Sequence, residues 1–251
     1  MTYKTLSETN VDWNNGGFNH SALIGSVMGL AKIFMPTSAK DFEEKYYRSG
    51  EERETLIKKM SAKKRALYND IDFLRKTEGK NIPLSNEEKE LLYNKGRTPI
   101  FIEKVAEEFS IYAGISKKSS EEHIRTRIFE ETYRGHVEEL KAQKLISEMF
   151  PIFDVILSPA NHDSSYAIDL EILYKGKIIA GVQVKPRSYA QYKNDVTNKT
   201  IKLNKDKNQA FKDEYKAPVL WYYYDNKGKY DLRGFDDKSK FLIKSILREI
   251  Q

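Results

Sequence analysis

Asp169, Gln183 and Lys185, in the segment YAIDLEILYKGKIIAGVQVKP from Tyr166 to Pro186, have the types and spacing for metal-assisted chemistry on a phosphate. Hydrolysing a phosphodiester requires a cation on the non-bridging oxygens and a nucleophile polarised at neutral pH. Carboxylate and amide oxygens are hard ligands suited to a divalent cation, and a lysine adds a fixed positive charge beside them.

These residues must be brought together by their strands. Asp169 and Glu171 alternate with Ile168, Leu170 and Ile172, and Gln183 and Lys185 alternate with Val182 and Val184. That period of two predicts a pair of strands buried on one side. Register then decides the outcome, because a slip of one residue moves every side chain to the opposite face. A two-residue loop at Lys175-Gly176 would oppose Asp169 to Val182, whereas a three-residue loop, Lys175-Gly176-Lys177, opposes Asp169 to Gln183 and Leu170 to Val182. Only the longer loop keeps polar with polar, and it has a glycine for the left-handed position. Directly opposed residues sit roughly 5 Å apart at Cα, close enough for oxygens of Asp169 and Gln183 to share one cation.

Around the hairpin the sequence predicts a long helix over Glu121 to Met149, an apolar strand Ile152 to Leu157 and a turn-rich Ser158 to Ser165. After it come a polar segment, a lysine-rich helix around Lys205 to Lys216 and a strand Pro218 to Tyr224, an α-β-β-β-α-β order in an α/β domain. The first 120 residues read as mainly helical, giving an expected division into 1–120 and 121–251. In that first part Val11 to His20 reads as a loop, Ala22 to Phe34 as one buried helix and Glu51 to Thr77 as amphipathic. Ser85 to Tyr93 is a short helix opened by Ser85 and Glu88, and Ile100 to Tyr112 is another.

Asp169 on one strand followed by Gln183-Val184-Lys185 on the next resembles the catalytic pattern of the PD-(D/E)XK nuclease superfamily. The resemblance implies a mixed sheet flanked by helices, with Mg²⁺ held by Asp169, Gln183 and the backbone carbonyl of Val184. It also implies that Lys185 positions and activates the attacking water. Gln183 stands where Glu is usual, which removes one negative charge from the ligand set. The superfamily often adds a Glu from the helix before the first core strand, and Glu139 is the candidate here, with Glu131 second and Gly135 one turn before Glu139. GRT at Gly96 to Thr98, EETYRG at Glu130 to Gly135 and GVQVKPRSY at Gly181 to Tyr189 together resemble the MjaI family of type II restriction endonucleases. That resemblance implies cleavage of a short site in double-stranded DNA. With one metal-site signature per chain, it also implies a homodimer to cut both strands.

Composition agrees with a polyanionic partner. The 251 residues carry a net charge of +6, with 43 Lys and Arg against 37 Asp and Glu, so the placement of the charges matters more than their sum. Arg187, Lys193, Asn198, Lys199, Lys202 and Lys205 follow the catalytic strand and are the candidate DNA contacts: lysines suit phosphates, amides suit base edges. Trp13 to His20, WNNGGFNH, is a weaker second candidate. The absence of cysteine excludes disulfides and thiolate metal sites. No apolar run reaches membrane-spanning length and the first residues do not read as a secretion signal, so a cytoplasmic protein is expected. Two other readings remain open: a repair or junction-resolving nuclease on the same core, and a non-catalytic DNA-binding protein with a degenerate core.

Overall fold

The computed structural model describes residues 4–77, 82–192, 199–224 and 234–250. The chain divides into two compact units, 1–134 and 135–251.

The first unit is helical. Helix α1 (Leu6–Asn15) starts at a capping box between Thr5 and Glu8, takes in the first half of the expected Val11 to His20 loop, leaves a turn over Gly16 to Asn19, and buries Trp13. Phe18, just beyond it, is also buried, so WNNGGFNH serves the core. The expected single helix Ala22 to Phe34 is two, α2 (Ser21–Ile24) and α3 (Val27–Phe34), separated at Gly25 with φ of 78°. The amphipathic stretch Glu51 to Thr77 is likewise three helices, α4 (Ala39–Lys58), α5 (Ala62–Asn69) and α6 (Ile71–Thr77), the first capped by Ser38. Helix α7 (Asn86–Tyr93) has the expected reciprocal cap of Ser85 and Glu88, and α8 (Pro99–Ala113) follows Thr98. Glu121 to Met149 is interrupted: α9 (Lys117–Arg125) passes through one π-helical turn at Thr126–Glu130 into α10 (Glu131–Met149). Trp13, Phe18, Phe42, Tyr46, Phe109 and Phe129 pack at the centre of this unit, Trp13 stacked on Phe18 and the other pairs edge to face or tilted, favoured geometries of aromatic quadrupoles.

Two arginines lie wholly inside that core. Arg97, 0% exposed, donates Nε to Leu23 O at 2.9 Å, Nη2 to Ala22 O at 2.9 Å and to Leu92 O, and Nη1 to Lys95 O at 2.6 Å and Gly96 O at 2.9 Å. Arg53 donates Nε to Leu91 O at 2.9 Å and Nη1 to Glu54 at 3.0 Å. The guanidiniums therefore serve carbonyls in the last turns of α2 and α7, where no intrahelical donor exists and the helix dipole favours a cation. Backbones must meet closely for this: a Cβ at Gly96 would lie 2.1 Å from Tyr46 O, and one at Gly50 would lie 2.2 Å from the Arg97 carbonyl carbon.

The second unit carries a four-stranded mixed sheet in the order β1 (Asp154–Leu157), β2 (Leu170–Tyr174), β3 (Lys177–Pro186), β4 (Val219–Tyr224). β1, β2 and β3 are antiparallel neighbours, and β4 lies parallel to β3 after a crossover through α12 (Tyr189–Tyr192) and α13 (Lys199–Tyr215). The expected turn Ser158 to Ser165 is largely helical, α11 (Ala160–Tyr166). A final helix, α14 (Asp237–Ile250), was not anticipated by the strand-centred reading. Leu170, Ile172, Ala180, Val182, Val184, Leu220 and Tyr222 form one apolar cluster with Ala142 and Ile146 of α10 and Ile243 of α14. Ile168, Val219 and Ala217 form a second with Phe211 of α13. Among the described residues no helix is long and apolar enough to cross a membrane.

The hairpin reaches the expected opposition by another route. Tyr174 pairs with Lys177 across a two-residue turn, with Lys175 at φ 50° and Gly176 at φ 75°. Both values are left-handed, as a turn matched to strand twist requires. The register then shifts between Ile172 and Leu173, because β3 holds an extra residue, Ile179, as a bulge, and Leu170 faces Val182.

Candidate functional site

Asp169 stands at a bend just before β2 and is held from both sides. Its N–H donates to Val182 O at 2.9 Å, and its carbonyl accepts the N–H of Ser158 at 3.0 Å. The bend breaks the expected alternation: Ile168 packs beside Phe211, while Leu170 joins the cluster under α10. The residue is 5% exposed. Its Oδ2 accepts the Val184 N–H at 2.7 Å and the Lys185 ammonium at 2.9 Å. Strand β3 thus returns a backbone donor and a cation to one oxygen of the acid.

Burial works against the charged form of Lys185, but the charge and hydrogen bond of Asp169 outweigh it, with Glu139 and Asp163 adding to them, and its pKa lies above the ordinary lysine value. Lys185 is therefore an ammonium throughout the neutral range, able to donate hydrogen bonds and stabilise anionic charge.

Gln183 is fully buried. Its Nε2 donates to Ala167 O at 2.5 Å, and its Oε1 is buried with no hydrogen-bond partner. Only the NH₂ end of an amide can face a carbonyl, so this contact fixes which way the side chain is turned. The N–H and C=O of one strand residue point to the same side of the strand. The Val184 carbonyl therefore opens toward β2, the side on which Asp169 takes the Val184 N–H. Glu139, on α10, is 4% exposed, and its charge acts on Lys185. Glu131 lies in the other unit and pairs with Arg127.

The neighbouring acid of the first hairpin strand, Glu171, is not part of this group. Glu171, 2% exposed, accepts Ser158 Oγ at 3.0 Å and meets His162 Nδ1 at 2.7 Å through Oε1. The other ring nitrogen of His162 lies 3.3 Å from the Tyr215 hydroxyl. So Asp169 and Glu171 do not form one row of solvated acids as the alternation suggests; both are buried and each has its own partners.

Of the candidate DNA contacts, Arg187 is exposed at the end of β3, and Lys202 and Lys205 are exposed on α13. Lys199 opens that helix, where a polar loop was expected, and Lys193 and Asn198 lie outside the described residues. The sequence reading missed a ladder of rings beside the site. Tyr189 stacks on Trp221 with centroids 5.8 Å apart, Trp221 on Tyr223 at 6.2 Å, and Trp221 and Tyr223 are the β4 partners of Gln183 and Lys185.

The described residues hold no group of three or more His, Cys, Asp or Glu arranged for a metal ion. A cation here would take a mixed oxygen set of carboxylate, amide and backbone carbonyl, which suits a hard ion such as Mg²⁺. Compared with known proteins, the chain matches no family model, no curated protein and no solved structure.

Proposed function

We propose that this chain is a type II restriction endonuclease with a PD-(D/E)XK core, hydrolysing phosphodiester bonds at a short site in double-stranded DNA with Mg²⁺. The observation that carries the reading is the Asp169–Lys185 pair at 2.9 Å with the unpartnered, buried Oε1 of Gln183 on the same strand as the lysine. An orphaned amide oxygen costs free energy unless something engages it, and a cation held with Asp169, Gln183, the Val184 carbonyl and Glu139 would do so. Mg²⁺, when bound, supplies the polarisation of the scissile phosphate and of water. The protein's own groups do the rest. Asp169 orients Lys185 and holds the Val184 backbone; the Lys185 ammonium donates to a phosphate oxygen or to the attacking water and stabilises the charge that develops. The permanent positive charge argues for that role and against a lysine acting as proton acceptor.

The direct test is incubation of the purified protein with long duplex DNA, with and without Mg²⁺. Discrete fragments that require the metal are expected. Cleavage confined to branched DNA would favour a junction-resolving enzyme, and binding without cleavage a non-catalytic protein.

The exposed Arg187, Lys202 and Lys205 follow the catalytic strand and suit contact with the DNA backbone. Replacing Lys202 and Lys205 together by alanine is expected to weaken binding to all duplexes alike. The slope of log affinity against log salt should flatten by roughly 0.9 for each phosphate no longer neutralised. An unchanged slope would make this face of α13 a solvated surface only.

One such site cuts one strand, so the active species is a two-fold homodimer, each copy serving one half of a palindrome. Light scattering on the complex with cognate duplex should give two chains per DNA. A single chain that still makes double-strand breaks in one encounter would remove the dimer.

A further inference from the structure

We propose that Glu171, His162 and Asn208 are positioning residues that hold α11 in place, so that its capping carbonyl at Ala167 selects glutamine at position 183 and fixes the direction of its amide. The inference deepens the endonuclease reading and rests on it for the role of Gln183.

The short helix α11, with the sequence ANHDSSY, has little intrinsic reason to form: it has no apolar stripe and several residues that favour turns. Its stability comes from what grips it. At its start, His162 meets the buried Glu171 carboxylate on β2 at 2.7 Å, and Ser158 donates to the same oxygen at 3.0 Å. At its end, Asn208 of α13 donates Nδ2 to Tyr166 O at 2.9 Å, and the Tyr166 hydroxyl donates to Glu214 at 2.5 Å. The Tyr215 hydroxyl completes the cage at His162 Nε2, 3.3 Å away. The chain then turns through Ala167 in the left-handed region, φ 54°. That turn presents the Ala167 carbonyl to Gln183, which donates Nε2 to it at 2.5 Å.

This contact accounts for the amide in a place where the PD-(D/E)XK pattern commonly has a carboxylate. An ionised glutamate at 183 would set oxygen against the Ala167 oxygen, because a carboxylate only accepts. Glutamine satisfies the carbonyl with one end and keeps the other, Oε1, turned away from α11. A glutamate at position 183 would therefore add a charge to the ligand set at the cost of the donor that the Ala167 carbonyl receives.

The test combines Glu171→Ala, Glu171→Gln, His162→Ala and Gln183→Glu. Binding of Mg²⁺ and Mn²⁺ to the full chain is followed by calorimetry, and cleavage is measured as a function of metal concentration. Glu171→Ala and His162→Ala are expected to raise the half-saturating metal concentration by roughly tenfold or more, the range found when groups that orient a ligand are removed. The rate at saturating metal should fall far less. Glu171→Gln keeps an oxygen for Ser158 and His162 and should restore near-normal metal dependence, a rescue that general loss of stability would not give. Should the alanine variants not fold, Gln183→Glu decides alone: without a donor for the Ala167 carbonyl it is expected to melt below wild type and to bind Mg²⁺ and Mn²⁺ no more tightly. A Gln183→Glu protein as stable as wild type that binds metal more tightly, or a folded Glu171→Ala protein with unchanged metal binding, overturns the inference. Wild-type protein that neither binds metal nor cleaves DNA overturns the endonuclease reading instead, and leaves the melting test of the Ala167 contact standing.

Discussion

Replacing Lys185 with alanine is expected to slow cleavage of duplex DNA by about 10²-fold or more, the cost of losing one preorganised electrostatic contact to the developing charge. Binding to DNA in the absence of cleavage should change little, since the basic face of α13 is untouched. Asp169→Asn is the companion variant. It keeps an oxygen to accept the Val184 N–H, now made at 2.7 Å, but removes the charge that pairs with Lys185. Comparable loss of activity is expected, with a lowered melting temperature because the Lys185 charge loses its buried partner. Asp169→Ala would add the cost of an unsatisfied backbone N–H, about 1–3 kcal/mol, and confuse the two effects. The pH behaviour follows from the raised lysine pKa. The stabilisation from the Asp169–Lys185 pair is fully present below the ordinary lysine value and is lost only as pH rises through the higher folded value. Rate profiles should therefore show no alkaline loss from this lysine near neutrality. A folded Lys185→Ala protein that cleaves at the wild-type rate would sink the site assignment.

Arg97 carries the largest expected effect on stability. It donates to carbonyls of Ala22, Leu23, Leu92, Lys95 and Gly96. Alanine there would orphan buried acceptors at the ends of two helices and open a cavity, a loss of about 4 kcal/mol or more. Lysine is a poor substitute, because a point charge with three donors cannot reproduce the planar fork. The guanidinium itself is strained: burial first, then the charge of Arg53, lower its pKa to about 9. A depressed cation is a standing cost at neutral pH, offset by the carbonyl dipoles around it. Urea unfolding followed by Trp13 fluorescence in a Trp221→Phe background reports on the helical unit alone. Arg97→Lys destabilised by less than about 1 kcal/mol would show that the carbonyl cage contributes little.

That role was not legible in the sequence, where Gly96-Arg97-Thr98 reads as a family marker near a helix start. Its partners Ala22 and Leu23 lie more than seventy residues away in the chain, and no local pattern announces them. The same holds for Gln183, whose amide is explained by a carbonyl at Ala167 on another element. By contrast, the opposition of Leu170 to Val182 is readable from alternation together with a short loop, since a slip of one residue would set Asp169 opposite an aliphatic side chain. The cap at Ser85 and Glu88 was equally readable, being four adjacent residues with a fixed geometry. The residues of helix α11 favour a turn, and tertiary hydrogen bonds override that preference. Leu242, Ile243, Ile246 and Leu247 of α14 do carry a helical spacing, which attention to the strands passes over.

Ile179 has a meaning beyond geometry. As the extra residue of a bulge it is unopposed on β2, so its loss would join Ile178 directly to Ala180 and leave Ile172 opposite Ala180 and Leu170 opposite Val182. Deleting Ile179 therefore keeps Gln183 and Lys185 on their face and removes only the local bend and extra twist that a bulge adds. The hairpin thus holds one residue of slack in β3, a place where the strand can shorten without exchanging its faces.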